Sequence, residues 1–254
     1  MLQNINAENQ SARSMKDASV ELFAAGMVHL KGLLDIDDLM VLRAELLTLH
    51  SSFDSLPDDV KTKTDRNNKG EIREISYLSK KFSAFRQSSV FRQCHALASD
   101  VFGTDCKYGH DEAIFKSSGS KSVNWHQDQA YSKYDKDKQC VSIWIPMQRT
   151  GPANGGMEYI VNAAQGSQSL LAHEKVTPES FMYHIPEEQL PDAGVISPEM
   201  EPGDVCVHTP LCVHRSHPNS SNEVRVAWIL QFNKYGASRF VRWNNLKHYL
   251  PGST

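Results

Sequence analysis

The order in which helix-like and strand-like segments follow one another constrains this chain more than any other feature. Up to Gly103 the apolar residues recur at helical spacing, and beyond it they fall in short extended runs separated by Pro, Gly and Asn clusters. Val28–Leu30 is a short predicted strand, followed by Asp35, an N-cap candidate with Asp38 three residues on. Leu39, Leu42, Leu46 and Leu49 then predict an amphipathic helix from Ile36 to about His50 that covers a sheet. A second helix is predicted over Ser89–Phe102, with Phe91, Leu97, Ala98 and Val101 inward and Gly103 as its terminator. Between them, Ser51–Lys81 is rich in Asp, Lys, Asn and Ser and is predicted as a long loop, with 54–80 a lid candidate. Strands are predicted over 108–115, 123–131, 140–146, 156–161, 205–208, 212–216 and 224–232. Helices first and strands afterwards predict a closed or sandwiched antiparallel sheet flanked by helices, not βαβ units. With no internal repeat, 1–254 is expected to be one domain with a barrel core at about 105–235 and a flexible segment at 1–17.

Composition narrows the partners. The 254 residues suffice to bury a real core, and 27 basic against 30 acidic residues, net −3, lack the basic excess of a nucleic-acid binder. No apolar run approaches the roughly 18 residues that a membrane span needs. The polar N-terminus has no leader pattern, and the five cysteines are dispersed without a C-x-x-C pair. Small buried thiols in a cytoplasmic protein are the expectation, with a small-molecule substrate and neither nucleic acid nor membrane as partner.

The chemistry is concentrated in two stretches. Asn124–Gln129 holds His126 and Asp128 two apart in a strand-like run, where alternate residues share a face. Alone, that pair fits a surface strand with two outward polar residues equally well. The stretch Glu201–Ser220 adds a turn, an apolar strand, histidine and a polar turn, and Arg225 follows in another strand. Two histidines and one carboxylate on one face of a metal make the facial triad of non-haem iron(II) oxygenases, which leaves three positions open. Neutral imidazoles and one carboxylate leave a ferrous site at +1, which suits a dianionic 2-oxo acid. Its far carboxylate calls for a bidentate cation, and Arg225 is the candidate. In its strand Arg225 shares a face with the small Ala227, while Val226, Trp228 and Leu230 form the opposite apolar face.

Together the motifs resemble the phytanoyl-CoA dioxygenase-like branch of the Fe(II)/2-oxoglutarate-dependent oxygenases. The likeness lies in Trp125-His126-Gln127-Asp128, in Gly151–Met157, and in Pro202-Gly203-Asp204 through His214-x-Ser216-x-x-Asn219 to Arg225. It spans about residues 20–235. The resemblance implies a mainly β protein with flanking α-helices, a double-stranded β-helix of the jelly-roll or cupin type. It implies that His126, Asp128 and His214 bind iron and carry the catalysis, and that Ser216 and Arg225 hold the far carboxylate of 2-oxoglutarate. Trp144 matches an aromatic that lines the family's pocket. The chain departs from the family at Asn162–Ser167, where a Pro-Gly-Ser-His turn is usual, and at Arg215, where a small residue is usual. His208 and His217 compete with His214 for the metal. On the substrate side the candidates are His110, Glu112, Lys116, Gln127, Gln129 and Tyr131, with Gln231 beyond them.

The function expected is a dioxygenase that couples decarboxylation of 2-oxoglutarate, with Fe(II) and O2, to oxidation of a C–H bond in a small metabolite, most simply its hydroxylation. Retention of Asp128 weighs against halogenation, which needs that position for a halide. The alternatives are a metal-dependent hydrolase or isomerase on the same barrel, and a binding barrel without catalysis.

Overall fold

The computed structural model of the protein describes residues 18–61, 72–132, 140–161, 169–178 and 182–234. The expectations for 1–17 and for Asn162–Ser167 lie outside them, as does the 62–71 part of the lid candidate.

A helix over 18–25 (α1) leads into β1 (Met27–Leu30) and α2 (Ile36–Ser51). Then come β2 (Ile72–Ser76), two short helices α3 (Leu78–Lys81) and α4 (Ser83–Gln87), and α5 (Ser89–Phe102). The remainder is extended: β3 (Lys107–Lys116), β4 (Val123–His126), β5 (Cys140–Pro146), β6 (Met157–Val161), β7 (Glu174–Lys175), β8 (Tyr183–His184), β9 (Gly194–Ile196), β10 (Val205–His208), β11 (Val213–Ser216) and β12 (Arg225–Asn233). One sheet has six strands in the order β1-β10-β5-β12-β3-β2, a second has four in the order β4-β11-β6-β9, and β7 pairs with β8. All pairings are antiparallel. The two larger sheets enclose Trp144, Met157, Tyr159, Cys206, Ala227 and Ile229. This is the double-stranded β-helix that the resemblance implies.

The helices cover the outer face of the six-stranded sheet, as the two periodicities require. Leu39, Leu42, Leu46 and Leu49 of α2 and Phe91, Leu97, Ala98 and Val101 of α5 join Val226, Trp228 and Leu230 in the main core. Asp35 Oδ1 accepts from the Asp38 N–H at 2.9 Å, and Ser88 Oγ accepts from the Phe91 N–H at 3.0 Å, so both helices start on side-chain caps. Gly103 ends α5 in the left-handed region at φ 65°. Asp38 also joins the two helices, accepting from the Ser89 N–H at 2.6 Å and from Ser89 Oγ at 2.7 Å.

Two expectations change. The predicted loop over Ser51–Lys81 contains β2 and α3, because in Ile72-Arg73-Glu74-Ile75-Ser76 the charges hide an alternation. Ile75 enters the core and Arg73 lies over the Phe53 ring, while Ile72 and Glu74 face the barrel interior. The predicted strand 123–131 ends at His126, and Asp128–Tyr131 form a 3-10 turn. Gln127 stays extended at φ −123°, ψ 134°, so His126 and Asp128 still fall on one side.

One buried carboxylate pins the short helices to the sheet. Asp111, fully buried on β3, accepts from the Ser79 N–H at 2.8 Å, Ser79 Oγ at 2.6 Å, Trp228 Nε1 at 3.1 Å and Tyr108 Oη at 2.7 Å. Removing it strands four donors in a place without water. Asp111→Ala is therefore expected to lower stability by about 3 kcal/mol. The urea unfolding midpoint, at unchanged slope, measures it.

Candidate metal centre and co-substrate pocket

The centre is assembled by strand pairing. His214 on β11 lies directly opposite His126 on β4, and their ring centroids are 4.3 Å apart. Asp128, one extended residue past His126, brings Oδ1 to 3.6 Å from His214 Nε2 and 4.0 Å from His126 Nε2. One ligand atom from each of the three lies within 4.8 Å of the others, and no other such cluster occurs among the described residues. Each imidazole is turned by its own backbone: His126 Nδ1 sits 2.8 Å from the Asn124 carbonyl and His214 Nδ1 2.9 Å from the Cys212 carbonyl. Donation from Nδ1 leaves both Nε2 lone pairs for a metal.

Electrostatics agree with that assignment. Burial pushes the His214 pKa well below its usual value, helped by His126 and His208, and burial also lowers that of His126. Burial opposes the Asp128 charge, yet the His208 hydrogen bond and the surrounding imidazoles outweigh it and hold the carboxyl well below its ordinary range. The set at neutral pH is two neutral imidazoles and one carboxylate, which is the donor chemistry of ferrous iron.

The other oxygen of Asp128 is held separately. Oδ2 accepts from Ser142 Oγ at 3.0 Å and faces His208 Nε2 at 3.4 Å. His208, weighed as a competing ligand, thus stands behind the carboxylate, with its ring 4.6 Å from that of His214. His217, the other competitor, has Nε2 3.2 Å from Ser197 Oγ and falls outside the cluster.

A cavity of about 750 Å3, open mouth included, leads from these residues to Arg225. Arg225 and Lys116 are register partners on the adjacent strands β12 and β3, exposed by only 2% and 0%. Lys116 Nζ donates to Ser216 Oγ at 3.1 Å and to the His217 carbonyl. The Arg225 guanidinium lies 5.6 Å from the Trp144 ring centre, and its Nε has no partner. Burial lowers the Arg225 pKa to about 9, and burial together with Arg225 lowers that of Lys116 to about 7. No carboxylate among the described residues forms an ion pair with either cation. Gly155, at φ 82°, lets bare backbone approach them: a Cβ there would lie 3.2 Å from Lys116 Cδ and 3.4 Å from Arg225 Nε. An orphaned buried guanidinium nitrogen beside a buried ammonium fits the far carboxylate of a 2-oxo acid.

Of the other residues singled out in the sequence, Trp144, Ser216, Glu112, Tyr131 and Gln231 line the cavity. Lys116 lies at the Arg225 end, away from the substrate candidates with which it was grouped. His110 is buried outside the lining, edge-on to Tyr77, with Nε2 3.7 Å from Glu112. Gln127 is spent on backbone, bonding to the Ser169 and Leu211 carbonyls and the Leu171 N–H, and buried Gln129 is likewise not part of the wall. Arg215 turns outward onto Trp125 and Glu158, so this departure from the family leaves the pocket alone. The sequence reading missed Ser142 and Glu74. Ser142 shares the phase of Trp144, which was a usable signal, whereas Glu74 lay in a strand mistaken for loop.

The grip on Asp128 Oδ2 makes a prediction. Ser142→Ala and His208→Leu each remove a partner of that oxygen and are expected to weaken divalent-metal binding about 10- to 100-fold. Calorimetric titration with Mn(II) measures it.

The family model described as phytanoyl-CoA dioxygenase matches residues 23–227. No curated protein sequence matches the chain significantly. Among solved structures, EvdO2 from Micromonospora carbonacea var. aurantiaca superposes with a TM-score of 0.67 at 18% identity, covering 85% of this chain and 89% of that one. The epimerase SnoN, solved with Fe3+, alpha ketoglutarate and nogalamycin RO, gives 0.69 at 15% identity, covering 87% and 84%. EctD from S. alaskensis, solved with 2-oxoglutarate and 5-hydroxyectoine, gives 0.65 at 18% identity, covering 86% and 75%. At these identities the structural likeness speaks for the fold, while the family match runs from α1 into β12 through every motif named above. The chain belongs to the phytanoyl-CoA dioxygenase family of oxygenases that use iron and 2-oxoglutarate.

Proposed function

We propose that this protein is a 2-oxoglutarate-dependent oxygenase that hydroxylates an unactivated C–H bond of a small metabolite. The observation that carries the reading is the pairing, in one cavity, of a His126–Asp128–His214 donor cluster with a buried, unneutralised Arg225–Lys116 pair. A hydrolase using the same three ligands has no need of two cations at the far end. We also propose a single domain over 1–254 that works in the cytoplasm without a nucleic-acid partner, in keeping with the net charge of −3. Among the described residues no helix is long and apolar enough to cross a membrane.

In this reading His126, Asp128 and His214 hold the ferrous ion, which when bound supplies dioxygen activation and the conversion of 2-oxoglutarate to succinate and carbon dioxide. Arg225 binds the far carboxylate of the co-substrate, Lys116 adds a second charge to it, and Ser216 donates a hydrogen bond beside them. Trp144 closes one side of the co-substrate channel and keeps water from the guanidinium. Ile114 and Ile229 supply an apolar wall against which a C–H bond can be held.

Two measurements test this reading. Purified protein with Fe(II) is expected to convert 2-oxoglutarate to succinate slowly without substrate and faster when a metabolite panel supplies the right compound, with His126→Ala inactive in both. Arg225→Ala is expected to raise the KM for 2-oxoglutarate about 100-fold, the loss of a charge-assisted bidentate contact, and to leave Mn(II) affinity within about twofold. Equal effects on both would exclude Arg225 from the role.

Lys116 adds a pH dependence. Its folded pKa of about 7 leaves it charged below that pH and neutral above it. A bound dianion favours the charged form. Affinity for 2-oxoglutarate is therefore expected to fall as pH rises above 7, with proton uptake on binding that Lys116→Met abolishes. Calorimetry in buffers of different ionisation enthalpy reads the uptake.

A further inference from the structure

We propose that the substrate is a cation: a small aliphatic molecule whose ammonium or amidinium group is held by Glu112 and Glu74, at the end of the cavity away from Arg225. This rests on the oxygenase reading above and adds the charge class of the molecule oxidised.

Strand register lays the cavity wall out in rungs. Arg225, Lys116 and Ile72 are partners on β12, β3 and β2; Ala227, Ile114 and Glu74 make the next rung; Ile229, Glu112 and Ser76 the one after. Residues paired across antiparallel strands share a face, so all of these look toward the interior. Charge therefore changes sign along one wall. Glu112 lies four residues from Lys116 on the same strand, about 13 Å away, and Glu74 and Glu112 are diagonal neighbours about 7–8 Å apart. A single ammonium or a flat amidinium fits between two carboxylates so placed.

Two acidic residues would not by themselves make a site. The independent observation is Arg225, 2% exposed and lining the same cavity with a nitrogen that no protein group satisfies. The cavity is thus built for charged ligands, and its two ends select opposite signs. With the co-substrate dianion matched by Arg225 and Lys116, the carboxylates at the other end are left for the second reactant. Arg225 is the one Arg or Lys among the described lining residues, and it stands at the wrong end to neutralise them. Glu112, with its side chain 20% exposed, has His110 Nε2 at 3.7 Å as its nearest basic nitrogen.

Both carboxylates are close to the metal cluster. The charge of Glu112 is felt at His126 and that of Glu74 at Tyr131, whose ring is 6.1 Å from that of His126. A cation seated there brings carbon atoms a few bonds along its chain to the metal. Tyr131 offers a ring face to the charge, and Ile72, Ile229 and Met182 offer an apolar surface to the aliphatic body. A polyol, which also bonds to carboxylates, would leave that surface unmatched.

The experiment uses the full chain with Fe(II) and 2-oxoglutarate and a metabolite library sorted at pH 7.5 into cationic, neutral and anionic sets. Succinate release is the readout. The expected result is stimulation by members of the cationic set, with Glu112→Gln and Glu74→Gln each lowering kcat/KM for the best of them about 10- to 100-fold. Its neutral isostere, with the nitrogen replaced by a hydroxyl, is expected to change less than threefold between wild type and Glu112→Gln. Stimulation confined to neutral or anionic compounds, polyols included, overturns the proposal, as does a library in which no cation stimulates. If the wild type makes no succinate from 2-oxoglutarate in the absence of substrate and binds none of it, the oxygenase reading itself fails, and that result is separate from the charge class.

Discussion

The structure depends on one cross-strand pair. His214 and His126 face each other on β11 and β4, and each ring is fixed by a backbone carbonyl two residues earlier in its own strand. The orientation of the donors is thus set by main-chain geometry, which a folded sheet cannot relax without breaking its ladder. Asp128 joins them because the strand stops at His126 and a single tight turn begins at the carboxylate. With Oδ2 held from behind by Ser142, only Oδ1 points at the two imidazoles.

Around that pair the barrel separates charge along its length. Burying Lys116 and Arg225 side by side is costly, which is why both have depressed pKa values. Such an arrangement is stable in function only if an anion spends time there, and a 2-oxo acid reaching from the metal to the guanidinium meets that condition. The family match and the geometry converge on oxygenase-type chemistry that uses iron and 2-oxoglutarate.

Much of this was legible from residue order. The leucines of α2, the caps at Asp35 and Ser88 and the terminator Gly103 follow from local rules that tertiary packing had no reason to override. The alternation around Arg225 separated its interior face from the Val226, Trp228 and Leu230 face because a central strand is buried on both sides with different partners. What stayed hidden was set by long-range contact. β2 carries charges whose partners and environment come from β3 and from Phe53, so its strand character is invisible locally. The same holds for Lys116, whose neighbours Ser216 and His217 are about a hundred residues away. Gln127 looked like a pocket group because it sits between two ligand candidates, but alternation turns it to the far side, where it ties three backbone groups.

Asp111 gives the acidic wall a mechanical property. It is flanked in β3 by His110 and Glu112 and points the opposite way, into its four donors under α3 and Trp228. The strand that presents Glu112 to the ligand is therefore riveted from its reverse side to the helical layer. A reactant arriving at that wall meets a stiff surface already in position, and discrimination there comes from fit to a fixed template, with little scope for the wall to mould itself around a guest of another shape.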